Sequence, residues 1–308
     1  MTHDLTVPFR HALSASLLTL AGVLCGPGAA LAEPTAEAAV KAPGATADAA
    51  VRRRELLVDG DVHIDVLIDG AGPAIVMLPS SQRDSLDFDG VAERLAGAGF
   101  KVLRPQPRGM ARSTGPMSGL DLNALALDVK RVIDRFGDGR AIVAGHAFGH
   151  FVARVADLNH PASVRGVAVL AGAARVFPPG LTEALDIAAD PARPRPDRLA
   201  ALQRAFFAPG NDPTAWLAGW HPELRDAYRG VSATPPKQAW WPVSHAPILD
   251  LQGALDPWRP ASTRDELQAV LGDKVTVRVI TQASHALLPE QPAAVADAIV
   301  EWARSLPP

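Results

Sequence analysis

The stretch Ala141-Ile142-Val143-Ala144-Gly145-His146-Ala147-Phe148-Gly149-His150-Phe151 brings a short apolar run, of the kind that forms a buried strand, to a Gly-x-x-x-Gly pair and then into a helical pattern. That is the setting of a nucleophile elbow, normally Gly-x-Ser-x-Gly, whose glycines permit a strained strand-to-helix turn and whose serine hydroxyl stands clear of the sheet. Here the central position is Ala147. The turn is written and the hydroxyl is missing. His146, His150, His221 and His245 invite a metal site, but their spacing fits no standard one and soft ligands are lacking, so structural or solvated histidines are expected. No Gly-x-Gly-x-x-Gly after a strand, P-loop, His-Glu-x-x-His or paired Cys-x-x-Cys occurs, and neither a cofactor nor a metal is expected.

The elements that position this turn follow from apolar periodicity. Leu56 to Val58, an Asp59-Gly60 turn, and alternating Val62, Ile64, Val66 and Ile68 predict a half-buried hairpin. Ala74 to Leu78 is continuously apolar, as in a strand covered on both faces. Strand and helix then alternate: Phe88, Val91 and Leu95 on one helical face, a strand at Lys101 to Leu103, a long amphipathic helix from Leu122 to Phe136, and the strand of the elbow. Val164 to Leu170 is the next strand. Residues 172–244 differ, holding four of the 6 tryptophans and a concentration of the 28 prolines, and read as an inserted helical cap. Leu199, Leu202 and Phe206 share a face there, and Asp212-Pro213 reads as an N-cap and first-turn proline before Trp216 and Trp220. Trp216, Trp220, Trp240 and Trp241 either line a pocket under the cap or form the cap's own core. The alternation resumes with Pro247 to Leu251, a helix near Thr263 to Leu271, a strand at Val275 to Ile280 and a terminal helix carrying Val295, Ile299 and Trp302. Such a rhythm predicts an α/β protein with a mostly parallel central sheet and helices on both faces.

At 308 residues with a formal net charge of -3 and mixed charges, the chain has ample length for a large core and no basic patch for nucleic acid. Residues 1–32 read as a signal peptide: Arg10 and His11 precede an apolar run from Ala12 to Leu24, Gly26-Pro27 breaks it, and Ala30-Leu31-Ala32 offers a small-x-small cleavage site. The run is shorter than the roughly 18 to 20 apolar residues of a spanning helix, and no later stretch is longer, so no membrane span is expected in the mature chain. Leu24 is too bulky for the position before a lipidated Cys25. Residues 33–51 read as a flexible lead-in and 52–308 as the folded domain. Export without any cysteine past Cys25 fits a bacterial periplasmic or secreted protein.

From Arg52 onward the chain resembles the α/β-hydrolase superfamily of esterase- and lipase-like enzymes with a helical cap. Beside the elbow, the resemblance rests on two further landmarks, in the family's order. Leu251-Gln252-Gly253-Ala254-Leu255-Asp256-Pro257 ends a strand as the family's acid loop does, and Ala283-Ser284-His285-Ala286 presents a histidine before the last helix. The resemblance implies that Asp256 orients His285, that His285 is the base, and that Ala147 stands at the nucleophile position. In Leu78-Pro79-Ser80-Ser81-Gln82-Arg83 it puts one oxyanion-hole donor on the backbone of Ser81, the other being Phe148; backbone donors survive side-chain replacement. Gln106-Pro107-Arg108-Gly109-Met110-Ala111-Arg112-Ser113 resembles the family's Asp-x-Arg-Gly-x-Gly-x-Ser loop, with Gln106 in place of the acid and Ala111 in place of a glycine.

The expected function is a hydrolase-like reaction on a small apolar molecule by an Asp–His dyad lacking a serine. A lyase or cofactor-independent oxygenase that needs only a base, or a non-catalytic protein that holds a small ligand or a partner, are the alternatives. The signal order predicts a mature protein beginning at Glu33, which N-terminal sequencing of exported material checks; retention of Met1 would contradict it.

Overall fold

The computed structural model describes residues 52–307. The expected signal peptide at 1–32 and lead-in at 33–51 lie outside the described residues. β1 (Arg53–Asp59) and β2 (Val62–Asp69) form an antiparallel hairpin in which Asp59 faces Val62, so the two-residue loop is Gly60-Asp61. Gly60 supplies the positive φ, +60°, that such a loop needs at its first position. β3 (Ala74–Leu78), α1 (Asp89–Gly97), β4 (Lys101–Pro105), α2 (Leu122–Phe136), β5 (Ala141–His146), α3 (Gly149–Asn159) and β6 (Val164–Leu170) follow in strict alternation. After α4 (Leu181–Ala189), α5 (Arg195–Ala205) and α6 (Lys237–Trp240), the sheet resumes with β7 (Ile248–Gly253), α7 (Glu266–Leu271), β8 (Val275–Ile280), α8 (Leu287–Glu290) and α9 (Pro292–Ser305). The strand order is β1-β2-β4-β3-β5-β6-β7-β8, antiparallel across β1/β2 and β2/β4 and parallel from there on.

Side-chain alternation along the buried strands builds two apolar layers. Val143 of β5 and Val167 of β6 pack with α2 and α3 on one face. Ile142, Ala168 and Leu249 pack with α1, α8 and α9 on the other, where Trp302 and Ile299 lie. The long α2 is started by Asp121, whose carboxylate accepts the Ala124 N–H at 2.8 Å.

The half-buried reading of β2 is corrected by its polar positions. Asp65 and Asp69 alternate with the apolar residues, as a solvent-facing set would, yet both are buried. Arginines cover them: Arg104 Nε donates to Asp69 at 2.9 Å, and Arg54 and Arg112 donate to Asp65 at 3.0 and 2.8 Å. Ala111, at the family's glycine position, adopts φ +49° and turns the Arg112 N–H toward Asp65 at 3.2 Å. A buried acid with these partners is easily mistaken for an exposed one when only the period of two is considered.

The cap occupies residues 171–247 between β6 and β7. α4 and α5 pair, and Leu202, Phe206, Phe207 and Trp216 close a small core with Trp258 of the acid loop and Ala286 of the histidine loop. Trp216 and Trp220 thus belong to the cap's own core. Trp240 and Trp241 instead seat the cap on α3, where Trp240 lies 5.0 Å from the Phe151 ring and Arg154 Nη2 donates to the carbonyls of Trp240, Trp241 and Val243 at 3.1, 3.0 and 2.7 Å.

Burial pushes the Asp65 carboxyl up, but the hydrogen bonds from Arg54 and Arg112 outweigh it and hold the group at about 2. A carboxyl lowered in the folded state stabilises above its unfolded value, near 3.8, and that contribution is lost as pH falls toward about 2. Asp65→Asn is therefore expected to cost on the order of 2 kcal/mol near pH 6 and progressively less toward pH 2, as measured by urea unfolding at a series of pH values. A cost independent of pH would contradict the assignment.

Candidate active site

The elbow is enforced by lack of room. A Cβ on Gly145 would stand 2.3 Å from the Gly149 carbonyl carbon, and one on Gly149 would stand 2.3 Å from the Leu78 carbonyl oxygen and 2.7 Å from that of Pro79. β5 and α3 therefore meet at a distance only glycines allow, and α3 begins directly under the loop that leaves β3. Between the glycines Ala147 takes φ +46°, in the left-handed region. For a residue with a Cβ this costs roughly 1 kcal/mol or more. The turn is fastened by the Ala147 N–H to the Leu170 carbonyl at 3.0 Å, and by His150, whose N–H and Nδ1 both bond the Ala147 carbonyl.

His285 lies between β8 and α8, and its Nδ1 is 3.0 Å from Asp256 Oδ2. The other carboxylate oxygen accepts the Trp258 N–H at 2.8 Å, which fixes the acid's rotation. Both side chains are buried. Asp256 as acceptor makes Nδ1 the protonated nitrogen, leaving Nε2 as the basic one. The acid and histidine loops are joined along their length: Leu255 N–H donates to Ala283 O at 2.9 Å, Ser284 Oγ to Leu255 O at 3.2 Å, and a Cβ on Gly253 would fall 2.3 Å from Ser284 O. Glu290 ties the histidine loop to the cap by accepting the N–H groups of Ser284 and Ala208, each at 2.6 Å.

The imidazole of His285 is packed among Trp258, Phe206 and His146, with ring centroids 5.3, 5.8 and 5.4 Å away. His146 donates from Nε2 to the His285 carbonyl at 2.8 Å. Burial above all, with His285 next, pushes His146 down to about 3, and burial lowers His150 well below its ordinary value. Both are neutral braces at neutral pH. His221 sits between Asp84 and Glu223, 3.6 and 3.0 Å away, so the four histidines considered as metal ligands do not converge.

Among the described residues, the Ser81, Gln82 and Phe148 amide N–H groups donate to no protein acceptor, whereas the Ala147 and Arg83 N–H groups do. Ser81 and Phe148 both line a small, partly open pocket of about 70 Å³, walled by Leu78, Leu125, Val129, Val152, Leu224 and Tyr228. Its charged wall residues are paired, with Arg108 donating to Asp128 at 2.7 and 2.9 Å. Neither Ala147 nor His285 lines this pocket. Sequence reading missed Tyr228 and Leu224 as pocket residues because both depend on where the cap folds back. The Gln106–Ser113 loop serves the fold: Gln106 Oε1 accepts the Ser85 N–H at 3.1 Å, and Ser113 Oγ donates to the Gln106 carbonyl at 2.8 Å.

Comparison with known proteins bears on the family and the fold. The chain is 30% identical over 122 residues to a fluoroacetate dehalogenase of Burkholderia sp, a match covering 38% of this chain and spanning 40% of that relative's length. The solved structure of Cfl2 from Burkholderia cenocepacia superposes with a TM-score of 0.64 at 22% identity, over 82% of this chain and 95% of that one. An esterase from Exiguobacterium antarcticum does so at 0.64 and 20% identity, over 79% and 96%. A model of the alpha/beta hydrolase family matches residues 70–298, which take in the elbow, the acid loop and the histidine loop, and the chain is therefore a member of the alpha/beta hydrolase family.

Proposed function

We propose that this is an exported hydrolase-like protein that acts on a small neutral carbonyl compound with an apolar group, using His285 as general base without a covalent step. The observation that carries the reading is the buried hydrogen bond between His285 Nδ1 and Asp256 at 3.0 Å, maintained beside an elbow that still holds residue 147 in the left-handed region. The carbonyl oxygen binds the Ser81 and Phe148 amides, and a water molecule takes the space above the Ala147 methyl. Nε2 accepts a proton as that water attacks the carbonyl carbon; the imidazolium then gives it to the leaving alkoxide as the tetrahedral oxyanion collapses.

Magnitudes limit the substrate. Loss of a serine nucleophile typically costs about 10⁶ in turnover and leaves about 10³ to 10⁴ over water from the oxyanion donors and binding. Activated esters, and substrates from which only a proton is removed as in a lyase or cofactor-independent oxygenase, suffer least. The Ala147 methyl also favours a second reading, in which the pocket holds a ligand without turning it over.

The test restores the missing atom. Ala147→Ser adds one oxygen at a turn already in the elbow conformation, and is expected to change stability by less than about 1 kcal/mol. The variant should hydrolyse p-nitrophenyl esters at least about 100-fold faster than the parent, with an acyl-enzyme burst that disappears in the Ala147→Ser, His285→Ala double variant. His285→Ala alone should abolish the parent's residual turnover, and should lower the melting temperature because it leaves Asp256 unpaired and a gap among Trp258, Phe206 and His146. A folded Ala147→Ser protein without burst or turnover across acyl lengths would overturn the reading in favour of ligand holding.

A further inference from the structure

The loop that leaves β3 is a tight turn held in a conformation its residues do not favour. The Arg83 N–H donates to the Ser80 carbonyl at 3.2 Å, and Gln82, the third residue of that turn, takes φ +58°, whereas Ser81 before it has no positive φ. This is the pattern of a type II turn, whose third position normally holds glycine or asparagine because other side chains resist it. The Ser81 N–H stands outside the turn's own hydrogen bond. With glutamine at position 82, contacts from the surroundings must hold the turn in shape.

Arg83 supplies most of them. Its Nε donates to Asp87 Oδ2 at 2.7 Å and its Nη2 to Asp87 Oδ1, which fastens the turn to the short helical segment Ser85–Phe88 that leads into α1. From the other side comes the cap: Nη1 donates to the Ala218 carbonyl at 2.7 Å, and the guanidinium carbon lies 4.6 and 4.7 Å from the ring centres of Trp216 and Trp220. The two indoles stand at 89° to each other and form a notch, fixed by Trp220 Nε1 donating to the Trp216 carbonyl at 2.5 Å. Gly219 keeps the notch tight, since a Cβ there would stand 3.1 Å from Arg83 Nη2. The His221 N–H adds a backbone tie to the Gln82 carbonyl at 2.9 Å. A planar fork of donors is what lets one buried side chain meet a carboxylate twice, a carbonyl once and two aromatic faces together; a lysine cannot. Trp216 carries the contact onward, its ring 5.9 Å from His146 and 5.6 Å from Phe206, the two rings that pack 5.4 and 5.8 Å from His285.

We infer that Arg83 is a positioning residue for oxyanion binding: by joining Asp87 to Ala218, Trp216 and Trp220, it holds the turn that presents the Ser81 N–H, so that this donor is in place only while the cap is seated. This rests on the proposed function, in which Ser81 is one of the two carbonyl-binding amides. Arg83 acts through a donor two residues away. A role confined to stability would lower the number of folded molecules, whereas a positioning role lowers the rate of each folded one.

The experiment is pre-steady-state hydrolysis of p-nitrophenyl butyrate by the full chain carrying Ala147→Ser, alone and combined with Arg83→Met, Arg83→Lys or Asp87→Asn. Burst amplitude counts the competent sites, and the burst rate constant reports acylation at each of them. Removing one oxyanion donor typically slows such a reaction about 10²- to 10³-fold. Arg83→Met keeps the length of the side chain without its charge or donors, and is expected to slow acylation about 100-fold at an unchanged amplitude, with the half-saturating ester concentration within about twofold. Arg83→Lys retains the charge on a single nitrogen and should recover about tenfold of that loss. Asp87→Asn withdraws only the anchor on the α1 side; a slowing of about tenfold is expected, and it tests the role even where Arg83→Met does not fold. Acylation as fast in the Arg83 and Asp87 variants as in Ala147→Ser alone, or a loss that appears only as a smaller amplitude, would overturn the role of Arg83 and leave the proposed function standing. No burst from Ala147→Ser alone would remove the proposed function, and this inference with it.

Discussion

The constraint on which the site depends is the close approach of Gly149 to the carbonyl oxygens of Leu78 and Pro79, where a single added carbon would lie 2.3 Å from the first of them. It presses the start of α3 against the loop leaving β3. Three things depend on it. Phe148 and Ser81 come to line one pocket, the chain between Gly145 and Gly149 has no choice but a sharp turn, and residue 147 is forced to φ +46°. The parallel sheet supplies the rest by ending β3, β5, β7 and β8 along one edge, so that loops distant in sequence meet there.

Ala147 is informative because the strain remains although the hydroxyl does not. An alanine gains nothing from a left-handed backbone, and a glycine there would relieve the strain. The neighbours hold it regardless: His150 bonds its carbonyl, the Leu170 carbonyl takes its N–H, and His146 braces the backbone of His285. The left-handed turn at Ala147 and the hydrogen bond between His285 and Asp256 thus both persist without the hydroxyl. That is the physical ground for treating the site as a general-base centre, where water and imidazole do what a serine and imidazole otherwise share.

Much of the frame was legible in the sequence. The continuous apolar runs of β3 and β5 and the amphipathic α2 fall where periodicity places them, because helices cover both faces of a parallel sheet and leave no polar alternation to confuse the reading. The Gly-x-x-x-Gly pair and the Gly-x-x-Asp-Pro ending of β7 were readable because each marks a close approach of backbones. Two features were not. The buried Asp65 and Asp69 mimic a solvent face, since an ion pair to a distant arginine leaves no local trace. The pocket wall of Leu224 and Tyr228 depends on how a cap rich in proline and tryptophan returns to the sheet, which no short-range spacing encodes. The tryptophans were visible, but whether they line a pocket or fill a core is decided by packing alone.

The claim at the centre of this account is that a complete hydrolase frame surrounds a methyl group. The most direct measurement is the intact mass of the Ala147→Ser protein after exposure to a small fluorophosphonate, in which attack by the new hydroxyl oxygen on phosphorus expels fluoride only if the elbow, His285 and the Ser81 and Phe148 amides are in register. The account predicts one covalent adduct, located at position 147 by peptide mapping and undetectable in the parent protein. A folded variant that remains unmodified at millimolar reagent would contradict it.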